Sequence, residues 1–272
     1  MQYKFAQIDV FTAIPYKGNP LAVVYGADGL SDAQMAAFAN WTNLSETAFL
    51  LQPTDKAADY RVRIFTPTDE LPFAGHPTLG ACHAWLAAGG RPDGAEIVQQ
   101  CEIGLIRVRH KEGRLAFAAP PATLEEVDEE TLARVAASLR VDPSAILAAQ
   151  RLSRKKPDWI AALFASREDV LALQPDFAAM GDLRLGAVGP AQGEADFEVR
   201  GFVPGLGEDP VTGSLNAGLA RWLIGTGRAP SRYTAAQGTA LGRAGRIYLE
   251  QEGAEIWVGG DCVTCITGDV VM

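Results

Sequence analysis

The chain has 272 residues, enough for one large domain or two modest ones with separate buried cores. Apolar residues make up 48% of it and charged residues 21%, as in soluble globular proteins. The formal net charge of -9 argues against nucleic-acid binding, because a phosphate backbone repels such a surface.

The first half is predicted to contain short strands and two helices. The strands cover residues 5–11, 22–25, 47–51, 60–66, 96–101, 105–110 and 114–118. One helix covers residues 32–41, with Ser31 and Gln34 as a capping box. The other covers residues 77–88, with Pro77 at the first helical position. This second helix is apolar on most faces, so we expect it to be buried.

The second half is predicted to follow the same plan. Its strands cover residues 159–164, 184–188, 197–203, 233–236, 246–250, 255–258 and 263–270. Its helices cover residues 129–140 and 214–224, with a further one after Ser166. The segment 119–128, with two prolines and an acidic cluster, is the candidate linker.

The chain repeats itself at a spacing of 137 residues. Segments 59–67 and 196–204 share Asp, Val, Arg, Phe and Pro, and the same shift superposes Trp85-Leu86 on Trp222-Leu223. We interpret this as an internal duplication; chance likeness between two strand-turn-helix units is the alternative. The predicted fold is α+β, with lobes at residues 1–120 and 121–272 and a shared cleft between their equivalent loops. The last strand is a candidate to cross back to the first lobe.

The cysteines and the chain ends give few signals. A CxxC, Cys262 to Cys265, with three histidines in the whole chain, is a poor zinc signal. A buried strand is the preferred interpretation there, and a redox or metal role is the alternative. No signal peptide or apolar run of ~20 residues is visible, so we expect a cytoplasmic protein without membrane contact.

The loops before the two buried helices are the first candidates for a ligand site. They read Pro72-Phe73-Ala74-Gly75-His76-Pro77-Thr78 and Glu208-Asp209-Pro210-Val211-Thr212-Gly213-Ser214. Free backbone N–H groups at a helix start favour an anion such as a carboxylate. Ordinary capping by Thr212 or Ser214, with a tight turn at Gly75, is the alternative.

Several charged side chains accompany these loops. Glu46 leads into the apolar strand 47–51, and desolvation there would raise its pKa and suit it to proton transfer. An exposed charge at a strand end is the alternative. His76 and Asp209 stand at the helix starts as ligand contacts or as helix-stabilising groups. Arg63 and Arg200 are interpreted as structural partners of carboxylates, with Asp59 and Asp196 as candidates.

The motifs, taken together, resemble the PhzF family of phenazine-biosynthesis isomerases. They occur in the family's order: Asp9-Val10-Phe11-Thr12, Gly18-Asn19-Pro20-Leu21-Ala22-Val23, Asn43-Leu44-Ser45-Glu46-Thr47, Phe65-Thr66-Pro67, Glu70 to Gly80, and Glu208 to Ser214. Gln237-Gly238, Gly242-Arg243 and Gly245-Arg246 fit its C-terminal part. The resemblance implies the diaminopimelate epimerase-like fold, in which two pseudo-symmetric domains each form a β-barrel around a central helix.

The resemblance also implies an activity and a site. The family's best-known activity isomerises trans-2,3-dihydro-3-hydroxyanthranilate without metal or organic cofactor, and the resemblance implies a homodimer. Its acid/base glutamate corresponds to Glu46, its Gly-His-Pro histidine to His76 and its aspartate before Thr-Gly-Ser to Asp209. The expected contacts to a small carboxylate substrate come from Ser45, Gly75, Pro77, Thr78, Thr212, Gly213 and Ser214.

Two features separate this chain from its relatives. Related racemases carry a cysteine before each helix-start glycine, where this chain has Ala74 and Thr212, so carboxylate chemistry is favoured over a two-thiol mechanism. Pro210-Val211 stands where the phenazine enzyme has alanines, which leaves the substrate open. The alternatives are a non-catalytic small-molecule-binding protein and an epimerase of another amino-acid-derived acid.

Overall fold

A computed structural model describes residues 1–153 and 158–272. Its strands, β1 to β18, are Gln2–Val10, Asn19–Val24, Thr47–Leu51, Tyr60–Phe65, Glu70–Leu71, Ile97–Cys101, Gly104–Lys111, Arg114–Ala118, Thr123–Glu125, Ala148–Ser153, Trp159–Leu163, Arg184–Pro190, Phe197–Val203, Gly207–Asp209, Arg232–Gln237, Gly245–Glu252, Glu255–Gly260 and Cys262–Val271. Its helices, α1 to α6, are Asp32–Thr42, Gly75–Ala87, Glu129–Leu139, Arg167–Ala172, Phe177–Met180 and Gly213–Gly225. Short 3-10 turns cover Ala27–Gly29, Pro143–Ala145 and Thr239–Leu241.

The chain divides into two compact units. The first contains Met1–Ala118 and Gly259–Met272, and the second contains Ala119–Val258. In the first unit, α2 packs against β1, β2, β3, β4, β8 and β18, so strands surround the helix. Its first eight residues, from Gly75 to Cys82, are all buried. In the second unit, α6 packs against β10 and β16 and buries most of its length.

The order of strand pairing is the same in the two units. In the first, β1 pairs with β2 and β3 with β4 antiparallel, whereas β2 pairs with β3 and β4 with β6 in parallel. In the second, β10–β11 and β12–β13 are antiparallel, whereas β11–β12 and β13–β15 are parallel. Each unit adds a short antiparallel strand, β5 or β14, before its buried helix. The predicted α+β fold with two similar halves is therefore confirmed.

Asp59 and Asp196 occupy the same place in the repeat. The Asp59 carboxylate accepts hydrogen bonds from the backbone N–H groups of Val98 and Asp93, at 2.7 and 3.0 Å. The Asp196 carboxylate accepts one from the backbone N–H of Thr234, at 2.7 Å. Both aspartates thus fasten the start of one strand to the parallel strand beside it.

The expected pairing of Arg63 and Arg200 with these aspartates is wrong. Arg63 donates two hydrogen bonds to Glu70, at 2.7 and 2.6 Å, and Arg200 donates two to Glu208, at 2.9 and 2.8 Å. The glutamates lie on β5 and β14, the antiparallel neighbours of the arginine strands, within reach of a two-pronged guanidinium. The aspartates are already occupied by backbone donors. Carboxylate pairing was predicted correctly, but the partners were not.

Helix starts and the linker also differ in detail from the predictions. The capping box of Ser31 and Gln34 on α1 is confirmed. The first buried helix begins at Gly75, so Pro77 is its third residue rather than its first. Proline is tolerated there because the first four N–H groups of a helix have no partner within it. The segment 119–128 is not all linker, since it holds β9, which pairs with β10.

Candidate active site

The two buried helices start differently from the other helices of the described chain. The N-cap side chains of α1, α3, α4 and α5, which are Ser31, Asp128, Ser166 and Asp176, accept hydrogen bonds from the first turn. The N-caps of α2 and α6 are Ala74 and Thr212, and within the described residues neither provides a side-chain cap. Backbone N–H groups at such a start keep their positive potential for an anion.

Glu46 and His76 lie together in the first unit. Glu46 precedes the buried strand β3, and its side chain is 17% exposed. His76 is the second residue of α2, and its side chain is 5% exposed. The distance from His76 Nε2 to Glu46 Oε2 is 3.5 Å. The structure thus places the predicted base beside the first turn of the buried helix.

His76 is a neutral imidazole at physiological pH. Burial lowers the pKa of His76 to about 3, because an imidazolium would lose its hydration there. Glu46 therefore faces a neutral polar group rather than a cation. A glutamate without an ion pair to this histidine keeps more of its basicity than one neutralised by an imidazolium.

Asn19 lies beside the second ring nitrogen of His76. The side-chain nitrogen Nδ2 of Asn19 lies 3.5 Å from His76 Nδ1, and both side chains are buried. With the Asn19 amide in this orientation its NH2 group donates, Nδ1 accepts, and the imidazole proton is assigned to Nε2. Nε2–H then points toward the Glu46 carboxylate. Asn19 belongs to the Gly-Asn-Pro motif, and sequence reasoning gave it no role.

Gly18 holds the strand that carries Asn19. Its N–H donates to the buried carboxylate of Asp9 at 2.9 Å. A Cβ at Gly18 would lie 2.2 Å from the backbone oxygen of Val10 and 2.7 Å from Cγ2 of Thr12. No side-chain rotation relieves a clash with a backbone oxygen, so the segment around Gly18 would have to move away from the one around Val10.

We expect Gly18→Ala to lower the free energy of unfolding by about 2 kcal/mol, because inserting a methyl group into a filled site forces the backbone to shift. Urea unfolding of the purified variant measures this. Gly94→Ala is the matched control, since a Cβ there first meets an atom 3.8 Å away, and it should stay within about 0.5 kcal/mol of the parent. Equal unfolding midpoints for the two variants would contradict the packing argument.

Asp209 lies in the second unit, at the end of β14 and three residues before the helix cap. Its Oδ2 accepts a hydrogen bond from the hydroxyl of Thr212 at 2.7 Å. Gly213 and Ser214 form the first turn of α6. The Ser214 hydroxyl accepts a hydrogen bond from the indole N–H of Trp159 at 3.2 Å and keeps its own proton for another acceptor.

The remaining predicted contacts follow α2. Ser45 precedes Glu46 and is half-buried, and Gly75 and Pro77 are buried in the first turn. The hydroxyl of Thr78 donates to the carbonyl of Ala74 at 2.9 Å. The structure therefore brings Glu46 and His76 into contact in one unit, and Asp209 and Thr212 into contact in the other.

Thiol chemistry has no support at these helix starts. Cys82 lies inside α2, and burial raises the pKa of its thiol to about 12, so it is no thiolate at neutral pH. Cys262 and Cys265 are free thiols on β18, so the predicted strand is confirmed, but it is not a buried strand, because every residue of β18 is half-buried or exposed. Among residues 1–153 and 158–272 no group of three or more His, Cys, Asp or Glu side chains is arranged to hold a metal ion. In the same residues no helix combines the length and apolarity needed to cross a bilayer.

Two glutamines complete the helix-start loops, and sequence reasoning assigned neither. Gln99 on β6 donates to Thr78 Oγ1 at 3.0 Å, and Gln237 on β15 contacts Thr212 and Asn216. Gln99 and Gln237 stand 138 positions apart, as do Gly75 and Gly213. The sequence signal for this pair of glutamines was the change in repeat spacing from 137 to 138 residues. Comparing the two halves without a gap at a spacing of 137 misses it. The change in spacing also means that Trp85 and Trp222 are one position out of register.

Comparison with known proteins gives the family. A sequence model described as phenazine biosynthesis-like protein, PhzC-PhzF, matches residues 8–268. The chain belongs to this family. The solved PhzF-family phenazine biosynthesis protein of Bacillus anthracis superposes with a TM-score of 0.87 over 100% of both chains, at 19% identity, which shows a common fold.

Relatives in the family cover the chain nearly end to end. Antisense-enhancing sequence 1 of Schizosaccharomyces pombe is 33% identical over 290 residues, covering 98% of each protein. The trans-2,3-dihydro-3-hydroxyanthranilate isomerase of Pseudomonas aeruginosa is 32% identical over 262 residues, covering 93% of this chain and 91% of the enzyme. Several relatives are named as isomerases, and this family member is accordingly an isomerase.

Proposed function

We propose that the chain is a cofactor-independent isomerase that shifts a proton within a small carboxylate-bearing substrate resembling trans-2,3-dihydro-3-hydroxyanthranilate. The observation that carries the proposal is the contact of 3.5 Å between Glu46 Oε2 and the Nε2 atom of a buried, neutral His76. The isomerase of Pseudomonas aeruginosa that carries this substrate in its name supports the choice of substrate class.

Glu46 acts as the base and then as the acid. It takes a proton from an acidic C–H of the substrate and returns it to another carbon of the conjugated system. The carboxylate is regenerated in the same turnover, so the reaction balances without a redox partner. The substrate's own conjugated system spreads the negative charge that forms between the two steps.

His76 orients the glutamate and remains neutral. In the tautomer with the proton on Nε2, which the Asn19 amide nitrogen beside Nδ1 favours, the ring N–H faces Glu46 at 3.5 Å and orients the carboxylate. A neutral donor orients the base without neutralising its charge. Proton relay through this imidazole would pass through Nε2.

Each of the two helix starts is suited to an anionic group. The uncapped first turn of α2, with Gly75, Pro77 and Thr78, and that of α6, with Gly213 and Ser214, offer positive potential to a carboxylate. Ser45 contributes beside Glu46, and Asp209 orients the substrate through its amino or hydroxyl groups. These assignments follow the family motifs residue by residue.

Proton exchange in heavy water tests the proposal. The purified protein is incubated in D2O with trans-2,3-dihydro-3-hydroxyanthranilate, and proton NMR follows both product formation and the loss of the signal of the abstracted hydrogen. Deuterium in the product, with a rate proportional to protein concentration, is the expected result. Binding of this compound with no exchange would overturn the proposal in favour of a binding protein. A parallel incubation with free amino acids completes the test, and exchange only at their α-carbon would overturn the proposal in favour of an epimerase.

A further inference from the structure

Gln237 is a buried side chain with four hydrogen bonds to one loop. It lies on β15 and is fully shielded from solvent. Its Oε1 accepts from the backbone N–H of Thr212 at 3.0 Å and from Nδ2 of Asn216 at 2.8 Å. Its Nε2 donates to the carbonyl oxygen of Asp209 at 3.1 Å and to Oγ1 of Thr212 at 2.9 Å. One amide thus fixes the loop from Asp209 to the first turn of α6.

The direction of these hydrogen bonds is determined by chemistry. A backbone N–H can only donate, so the amide atom of Gln237 that faces it is the oxygen, and the other atom is the NH2 group. Because that NH2 group donates to Thr212 Oγ1, the hydroxyl proton of Thr212 must point elsewhere. It points to Asp209 Oδ2 at 2.7 Å. The result is a directed chain from Gln237 through Thr212 to the Asp209 carboxylate.

The first unit contains an equivalent glutamine, but its series of hydrogen bonds ends on a different kind of group. Gln99 is also fully buried; it accepts from the hydroxyl of Tyr60 and donates to Thr78 Oγ1, both at 3.0 Å. The Thr78 hydroxyl in turn donates a hydrogen bond to the carbonyl oxygen of Ala74 at 2.9 Å. This series of hydrogen bonds ends on a backbone carbonyl, so its role is to hold the helix start. Of the two series, only the one from Gln237 ends on an ionisable side chain.

The geometry points to Gln237 and Thr212 as positioning residues for Asp209. All three polar groups of Thr212 are engaged within the protein: its N–H by Gln237, its hydroxyl by Asp209 and its carbonyl by Asn216. Thr212 therefore acts through Asp209. This inference rests on the proposed function for the role of Asp209 in turnover, but not for the coupling between the two side chains.

A double-mutant cycle on turnover tests the inference. Thr212→Val removes the hydroxyl at nearly constant shape, and we expect it to lower kcat about 10-fold while KM changes less than about 3-fold. Thr212→Ser retains the hydroxyl and should recover most of the lost turnover. In an Asp209→Ala background, Thr212→Val should change kcat less than about 2-fold, because the side chain that accepts its hydrogen bond is absent. Multiplicative losses in the double variant would overturn the inference.

Gln99→Met is the matched control for Gln237→Met. Both substitutions remove a buried amide, so both should lower the urea midpoint of unfolding. The loss of kcat in Gln237→Met should disappear in the Asp209→Ala background, whereas any loss in Gln99→Met should multiply with it. Equal behaviour of the two glutamines would show a merely structural role.

The same cycle on stability separates this inference from the proposed function. If the protein has no isomerase activity, the shifts in urea midpoint for Thr212→Val and Asp209→Ala, each of which removes one partner of the hydrogen bond, still have to be non-additive when the hydroxyl and carboxylate are coupled. Additive shifts would overturn the positioning role, whatever the reaction is. Non-additive shifts without turnover would overturn only the proposed function.

Discussion

Glu46→Gln is expected to lower kcat for the isomerisation of trans-2,3-dihydro-3-hydroxyanthranilate by about 10³-fold, within the range typical of a general acid/base group. The amide has the shape of the carboxylate but accepts no proton from carbon. Its contact with the buried His76, which lies 3.5 Å away in the parent, can persist. The change should therefore fall on kcat, with KM altered much less, and proton NMR in D2O measures both conversion and exchange.

The chain offers a matched control for this substitution. Glu96 is a half-buried glutamate of the same unit that is paired with Arg107 and Arg109, at 3.4 and 2.9 Å. Glu96→Gln makes the same chemical change in a structural ion pair and should retain kcat. Turnover of Glu46→Gln within 10-fold of the parent would refute the assignment of this glutamate as the base.

Acid should destabilise the folded protein through His76, and the direction follows from linkage. Burial lowers the pKa of His76 from its ordinary 6.5 to about 3. Between these values the unfolded chain binds a proton that the folded chain does not, so the free energy of unfolding falls as pH falls. The full stability is present above pH 6.5. At pH 4.5 this residue alone should cost roughly 3 kcal/mol relative to pH 7.5.

Urea unfolding at the two pH values measures this difference. His76→Gln has no titrating group at the position and should lose that part of the pH dependence, leaving the contributions of the carboxylates and of His83, whose pKa is also lowered by burial. His110 is exposed, and His110→Gln should keep the parent's pH dependence. The same pH dependence in His76→Gln and the parent would show that the folded state accommodates the imidazolium.

Local patterns in the sequence were sufficient to predict most of the elements. β3, β8 and β13 have the predicted bounds, because each alternates or concentrates apolar residues between polar turns. The capping box of α1 is a pattern of four consecutive residues, so the sequence alone predicts it. The repeat of strand pairing was implied by the likeness of the segments beginning at Asp59 and Asp196. The predicted α+β fold followed from the same local information.

The errors came from partners that are distant in sequence. Arg200 is eight residues from Glu208 and four from Asp196, and nothing local indicates that backbone donors occupy the aspartate. Asn19 and His76 are 57 residues apart, and Gln237 lies 25 residues beyond Thr212. Contacts of that kind depend on which strands become neighbours. Glu46 and His76 were selected through family motifs, and the structure supplied their distance.

The pairing of β1 with β18 has a consequence for synthesis on the ribosome. The second unit is one continuous stretch of chain, whereas the first is assembled from Met1–Ala118 and Gly259–Met272. β1 is therefore translated well before its partner strand, which begins at Cys262. Contacts between segments so far apart form slowly, and an unpaired edge invites association with other chains. A nascent chain of this protein would therefore benefit from chaperone protection of β1 until β18 has been translated.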